Sequence, residues 1–173
     1  MLLMNSMRAF TLIELLIAIS IMSILLLISV SSVHYLVMSN RATAEINNVV
    51  SALQFARSEA IKNGVAVKFC KSVNHKTCGG NWRDGQIVID ERNNRIFRVF
   101  SALPKGDNLI WKSSLGKEDY VEFAAIGSTN GQHGTFSYCP YGGKKYARAI
   151  IISQASRIRV ANKLADGSSI SCD

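Results

Sequence analysis

Charge is missing from this chain in two places, and each gap removes a class of explanation. Between Leu15 and Asn40 there is no Asp, Glu, Lys or Arg. Between Phe123 and Ala165 there is no Asp or Glu, although Lys144, Lys145, Arg148, Arg157, Arg159 and Lys163 all lie there. The first gap is too long for the apolar region of an ordinary secretory signal, and no A-x-A-like cleavage site follows Val30. The second leaves a run of cations with no acid beside them in sequence. Other absences bear on chemistry. No C-x-x-C pair occurs, and His75 and His133 do not fall at ligand spacing, which argues against zinc and assigns no metal ligands. There is no G-x-S-x-G and no phosphate loop, and His34, His75 and His133 have no nucleophile motif beside them. No catalytic residue is therefore assigned, and the chain reads as a non-enzyme that needs no cofactor. No internal repeat or low-complexity linker divides it.

What is present begins at the N-terminus. Arg8 and Ala9 precede Phe10, which opens an apolar run reaching Val30. A bilayer core of about 30 Å takes roughly 20 apolar residues in a helix, so residues 10–30 are long enough to span it. Thr11, Ser20, Ser23 and Ser29 can bond back to helical carbonyls. Glu14 is the exception, because a lone carboxylate at the edge of a membrane span is costly without a partner or a role. Arg8 is the only charge before the span. Positive residues stay cytoplasmic, which puts the chain from Arg41 onward in the periplasm.

The stretch Arg8-Ala9-Phe10-Thr11-Leu12-Ile13-Glu14 resembles the type IV prepilin signal. The resemblance implies that a prepilin peptidase cuts between Ala9 and Phe10 and that Phe10 is then N-methylated. It also implies that Glu14, at the fifth mature position, pairs with the new N-terminal amine of a neighbouring subunit as the filament assembles. Such proteins usually carry Gly before the cut, where this chain has Ala9. On this reading residues 1–9 are a cleaved leader and residues 10–39 a transmembrane and filament-core helix. Residues 40–173 are then a periplasmic pilin globular domain that includes the second half of the helix.

Past the span a helical period continues. Ile46, Val49, Val50, Leu53, Ala56 and Ala60 recur at spacings of three and four, with Arg41, Glu45, Asn48, Arg57 and Lys62 between them. Asn63-Gly64 is a helix stop, so one helix is predicted over residues 10–62. The period then becomes that of strands, predicted at residues 65–69, 86–90, 95–100, 120–123, 134–138, 147–153 and 157–160. The fold class expected is α+β: a long N-terminal helix, membrane-spanning in its first half, packed on a meandering antiparallel sheet. Lys and Arg total 20 against 12 Asp and Glu, a net charge of +8 that favours an anionic partner. Cys70, Cys78, Cys139 and Cys172 suit disulfides in an oxidising compartment and allow three connectivities. The pairing favoured is Cys70–Cys78, closing a short loop, with Cys139–Cys172 tying back the C-terminus for about 3–4 kcal/mol.

Two further stretches narrow the family. Cys78-Gly79-Gly80-Asn81-Trp82-Arg83-Asp84-Gly85, running into Gln86–Asp90, resembles the W-x-x-G signature of the GspH/FimT/FimU group of minor pilins and pseudopilins. The chain from Val121 through Cys139 to Val160 is similar to the closing hairpin of the same group, which commonly ends in G-R-x-R. Here Ser156 stands where the group usually has Gly, and Arg157 and Arg159 are both present. The resemblance covers nearly the whole chain and is greatest to FimT. It implies a pilin fold, contacts with other major and minor pilins, an inner-membrane stage, and then an extracellular pilus of a Gram-negative bacterium.

Arg157 and Arg159 are two apart, so on a strand both lie on one face while Ile158 turns to the other. Paired guanidiniums can each take phosphate oxygens in bidentate fashion. Lys144 and Lys145, in a loop beside Gly142-Gly143, add phosphate contacts, as do Arg148 and Lys163, and Tyr141 and Tyr146 are placed to stack on bases or sugars. The expectation is a minor type IV pilin that binds double-stranded DNA without regard to sequence and supports DNA uptake in natural transformation. The bland counterpart is that these arginines pair with Glu118, Asp119 or Glu122. The alternative function is a minor pilin or type II secretion pseudopilin that primes filament assembly without binding DNA.

Overall fold

The computed structural model describes residues 11–117 and 119–172, with side chains 27–32 outside that description. One helix, α1, runs from Leu12 to Asn63. Its start is a capping box. The Thr11 N–H and hydroxyl donate to Glu14 Oε2, and the Glu14 N–H returns a bond to Thr11 Oγ1, all at 3.3 Å. Its end is set by Gly64, at φ 65°, which lets the Val65 N–H reach back to the Ala60 carbonyl at 3.3 Å.

The chain divides into two compact units, Met1–Met38 and Ser39–Asp173. In the first, the apolar side chains of α1 are exposed, with Leu12 at 78% and Leu26 at 60%. Among the described residues, no helix is long and apolar enough to cross a membrane. In the second unit the predicted stripe is buried at Ile46, Val49, Leu53, Ala56 and Ala60, all at 3% exposure or less, with Val50 only half-buried and Ala42 added to the buried face. Small alanines let the backbone approach the sheets closely, and each large aliphatic side chain contributes about 1.5–3 kcal/mol on burial.

Eight strands follow: β1 (Val67–Lys71), β2 (Gln86–Asp90), β3 (Arg95–Phe100), β4 (Asn108–Ser113), β5 (Tyr120–Phe123), β6 (Gly134–Cys139), β7 (Arg148–Ile152) and β8 (Ile158–Ala161). The single meandering sheet expected from the sequence is corrected to two. They are four-stranded and antiparallel, in the orders β3-β2-β1-β5 and β4-β6-β7-β8. The strand β4 was not foreseen, and it is what gives the second sheet its far edge. One aromatic core joins the sheets. Phe69 of β1 and Phe136 of β6 lie 6.1 Å apart, Trp82 sits between them at 5.4 and 5.0 Å, and Trp111 of β4 stacks on Phe136 at 4.4 Å. The W-x-x-G tryptophan thus serves the core.

The disulfides are Cys70–Cys78 and Cys139–Cys172. Each lies on the outer face of its own sheet. Cys70 packs with Ile87, Ile89 and Tyr120 on the first. On the second, Cys139, Ala149 and Ile151 are covered by Leu164, Ile170 and Cys172 of the C-terminal segment.

Candidate functional site

The antiparallel hairpin β7–β8 carries the candidate anion site. Its register pairs Ile151 with Arg159 and Ile152 with Ile158, and the Ser153 N–H bonds the Arg157 carbonyl at 2.9 Å. Strand alternation therefore puts Arg157 and Arg159 together on the outer face, with Ile151 and the disulfide-tied tail. Both arginines are exposed. Among the described residues, no ion pair or hydrogen bond engages either guanidinium. Asp119 pairs instead with Lys71 at 2.7 Å, and Glu122 lies 3.8 Å from Lys68. Glu118 lies outside the described residues.

The other predicted cations are distributed differently from the expectation. Arg148 opposes Tyr138 and has the opposite parity to Ile151, so it lies on the inner face, half-buried, its Nη1 donating to the Ala147 carbonyl at 2.9 Å. Lys144 and Lys145 are not in an open loop but in a 3-10 turn, Lys144–Tyr146, with Lys145 over the Tyr146 ring at 4.8 Å. Tyr146 itself is 1% exposed, which rules out the stacking role. Tyr141 is 78% exposed. Lys163 is exposed just beyond β8. Because β7 and β8 are antiparallel, Lys144, Lys145, Arg148 and Lys163 fall at the open end of the hairpin, with Arg157 at its turn.

Sequence reasoning missed Lys112. Register carries one outer-face row across the sheet, from Lys112 through Thr135 and Ile151 to Arg159. Lys112 is exposed and shares a groove with Leu164, Asp166 and Ser171. The signal is absent because Leu109-Ile110-Trp111 is a continuous apolar run that shows no strand alternation. Asp166 closes the acid-free stretch, and its carboxyl is held below the usual range by hydrogen bonds from the Ser168 hydroxyl and N–H.

The turn that aims the two arginines is locked by Ser156. This residue is 3% exposed at φ 58°, a left-handed conformation that ordinarily favours Gly. Its Oγ accepts the Thr129 N–H at 2.8 Å. Thr129 Oγ1 donates to the Gln132 carbonyl at 2.6 Å, which leaves the Ser156 hydroxyl to donate to Thr129 Oγ1 at 2.9 Å. Arg57 of α1 donates to the Ser156 carbonyl at 3.3 Å. Glycine's conformational freedom is replaced here by buried hydrogen bonds that a glycine cannot make.

A second buried network holds the other end of the domain. Asp107 is 3% exposed; its Oδ2 accepts from Arg41 at 3.1 Å and from the Tyr138 hydroxyl at 2.5 Å, and its Oδ1 takes the Tyr141 N–H at 3.0 Å. Burial, and then the bond to Asp107, push the Tyr138 phenol well above its ordinary range. The processing residues Ala9 and Phe10 lie outside the described residues. Glu14 is described, and it caps its own helix.

Two crystal structures of the type IV minor pilin FimU from Pseudomonas aeruginosa (strain PAO1) share this fold. Both are 24% identical and align with 73% of this chain; they match over 91% and 96% of the FimU chains, with TM-scores of 0.53 and 0.52. No curated protein matches in sequence. The model of the prokaryotic N-terminal methylation motif matches residues 4–30, which, with the long capped helix and the antiparallel sheets, defines a pilin-like subunit. The model of the type II transport protein GspH matches residues 45–156, and the chain belongs to that family.

Proposed function

We propose that this subunit is a minor type IV pilin that binds extracellular double-stranded DNA through the outer face of the β7–β8 hairpin and supports DNA uptake in natural transformation. The observation that carries this reading is the exposure of Arg157 and Arg159 on one face, without an acidic partner among the described residues. Lys144, Lys145 and Lys163 extend the basic strip to the open end of the hairpin, where Arg148 lies half-buried on the inner face. Contacts of this kind go to phosphates, so they position the duplex and do not read its sequence.

The same reading takes residues 1–9 as the leader and has the peptidase cut before Phe10, which is then methylated. Residues 10–39 hold the subunit in the inner membrane and later line the filament core, with residues 40–173 in the periplasm. The exposed apolar side chains of Leu12–Leu26 support this, because such a surface needs lipid or neighbouring helices against it. Glu14 then exchanges its capping bonds for the amine of a neighbour.

The test is a titration of the full chain, in nonionic detergent, with labelled duplex DNA across a salt series. Tight binding at low salt that weakens steeply with salt, and is lost in Arg157→Gln/Arg159→Gln, is the expected result. Equal affinity of the double variant sinks the reading. The family and the FimU-like fold favour a second role, priming filament assembly without DNA. A deletion strain without pili or secretion points to that role, and a piliated strain deficient only in DNA uptake points to the first.

A further inference from the structure

The strand β3 is the outermost of the first sheet, no described residue pairs with its other edge, and the strand carries both a bulge and two arginines. Between β2 and β3 the register shifts: Ile89 opposes Ile96 but Val88 opposes Arg98, so Phe97 is an extra, unpaired residue. This bulge changes which side chains share a face. Arg95 and Arg98, three apart, would fall on opposite faces of a regular strand. Here Arg95 opposes Asp90 and Arg98 opposes Val88, positions two apart on β2, so both arginines lie on one face. Ile96 and Val99 oppose Ile89 and Ile87 and so share the other face. They are 37% and 47% exposed, beside Ile89 and Ile87, which are buried.

The guanidiniums on this edge are stacked but not neutralised. Arg95 lies over the Phe97 ring at 4.9 Å, and Arg98 over Phe100 at 5.0 Å and Phe55 at 5.6 Å. Stacking leaves the in-plane N–H groups free to take a carboxylate. Among the described residues neither arginine makes an ion pair, and the acids of the hairpin are already engaged. Glu91 pairs with Lys68, while Asp90 accepts the Arg92 N–H at 3.1 Å and the Asn93 amide at 2.7 Å. A groove of about 320 Å³ runs beside the strand, lined by Glu45, Asn48 and Val49 of α1 and by Arg98, Phe100 and Leu103; Glu45 accepts the Asn48 amide at 3.4 Å and, among the described residues, forms no ion pair with Arg98.

We propose that β3 is a docking edge for an extended acidic segment of a partner protein, which adds to the first sheet as a fifth strand. The backbone of β3 supplies the hydrogen bonds. Its two faces then set the partner's pattern. Acidic residues alternate with aliphatic ones, the acids against Arg95 and Arg98 and the aliphatic side chains against Ile96 and Val99. A duplex would use the cations but neither the edge amides nor the apolar face, which favours a protein strand over nucleic acid.

The experiment uses the full chain in nonionic detergent and, as probes, labelled short peptides. One alternates Glu and Val, a second alternates Lys and Val, and a third is the Glu/Val peptide N-methylated at every second amide along one edge. The Glu/Val peptide is expected to saturate below about 1 mM, with the lysine peptide not binding and the methylated peptide at least ~10-fold weaker. Arg95→Gln/Arg98→Gln, both surface changes whose thermal unfolding is checked alongside, should weaken it by ~10-fold or more. Arg157→Gln/Arg159→Gln should leave peptide affinity unchanged, which separates this site from the DNA reading. The proposal is overturned if the Glu/Val peptide fails to saturate, if methylation has no effect, if Arg95→Gln/Arg98→Gln binds it as wild type does, or if duplex DNA alone binds through Arg95 and Arg98.

Discussion

The β1–β5 side of the first sheet and the outer face of β8 on the second handle positive charge in opposite ways. On the first, Lys68 sits between Glu91 and Glu122, and Lys71 meets Asp119 at 2.7 Å. Burial disfavours the Lys68 ammonium, yet the hydrogen bond to Glu91 and the two carboxylates outweigh it and raise its pKa. On the second, Arg157 and Arg159 face outward with no such neighbours among the described residues. A net charge of +8 is therefore a poor guide to where an anion binds. What matters is which cations the fold leaves without acids.

That contrast can be broken from several directions. The largest effect is expected from Cys139→Ala/Cys172→Ala, which frees the tail lying on the same face as the two arginines. Opening this loop should cost about 3–4 kcal/mol in denaturant unfolding. Retained stability would mean that packing of Leu164 and Ile170 alone holds the tail. Next comes Arg157→Gln/Arg159→Gln, expected to weaken DNA binding by ~10–100-fold and to lower the logarithmic salt slope by about 2. Lys68→Gln, on the other sheet, should leave that slope unaltered. Ser156→Ala strands the buried Thr129 N–H and keeps a strained φ, at a cost of about 1–3 kcal/mol. Loss of DNA affinity beyond what unfolding explains would make Ser156 a positioning residue for Arg157.

The smallest effects belong to the alkaline limb. The Tyr138 pKa is raised in the fold, so its contribution is complete below pH ~10 and declines as pH climbs, because only the unfolded phenol releases its proton there. Lys68, also raised, loses its contribution as pH passes from about 10.5 through its folded value. Tyr138→Phe should flatten the limb first, by up to ~1.4 kcal/mol per pH unit. Lys68→Gln in that background should flatten it a little more, and no further change would mean that the Glu91 pair contributes nothing.

Periodic features were legible in the sequence. The stripe from Ile46 to Ala60 named the buried face of α1 because helical spacing leaves no other choice. The alternation in Arg95–Phe100 found β3, but not the bulge at Phe97, since register belongs to the pair of strands and not to either alone. Asn108–Ser113 escaped because Leu109-Ile110-Trp111 is an unbroken apolar run in which no period shows. With β4 went Lys112 and the division into two sheets. Tyr146 was misplaced for a related reason: flanking lysines suggested a surface, while tertiary packing put the ring in the core. Ser156 was readable as a departure from Gly, but the partner that makes it tolerable, Thr129, lies far away in sequence.

The two cystines are sequential, each closed by cysteines adjacent in chain order and each confined to one sheet. On the proposed periplasmic reading the chain is exported N-terminus first, so Cys70 meets Cys78 before Cys139 and Cys172 are both available. The correct pairing is then also the earliest one, and oxidative maturation can advance in step with emergence without a disulfide isomerase to undo errors.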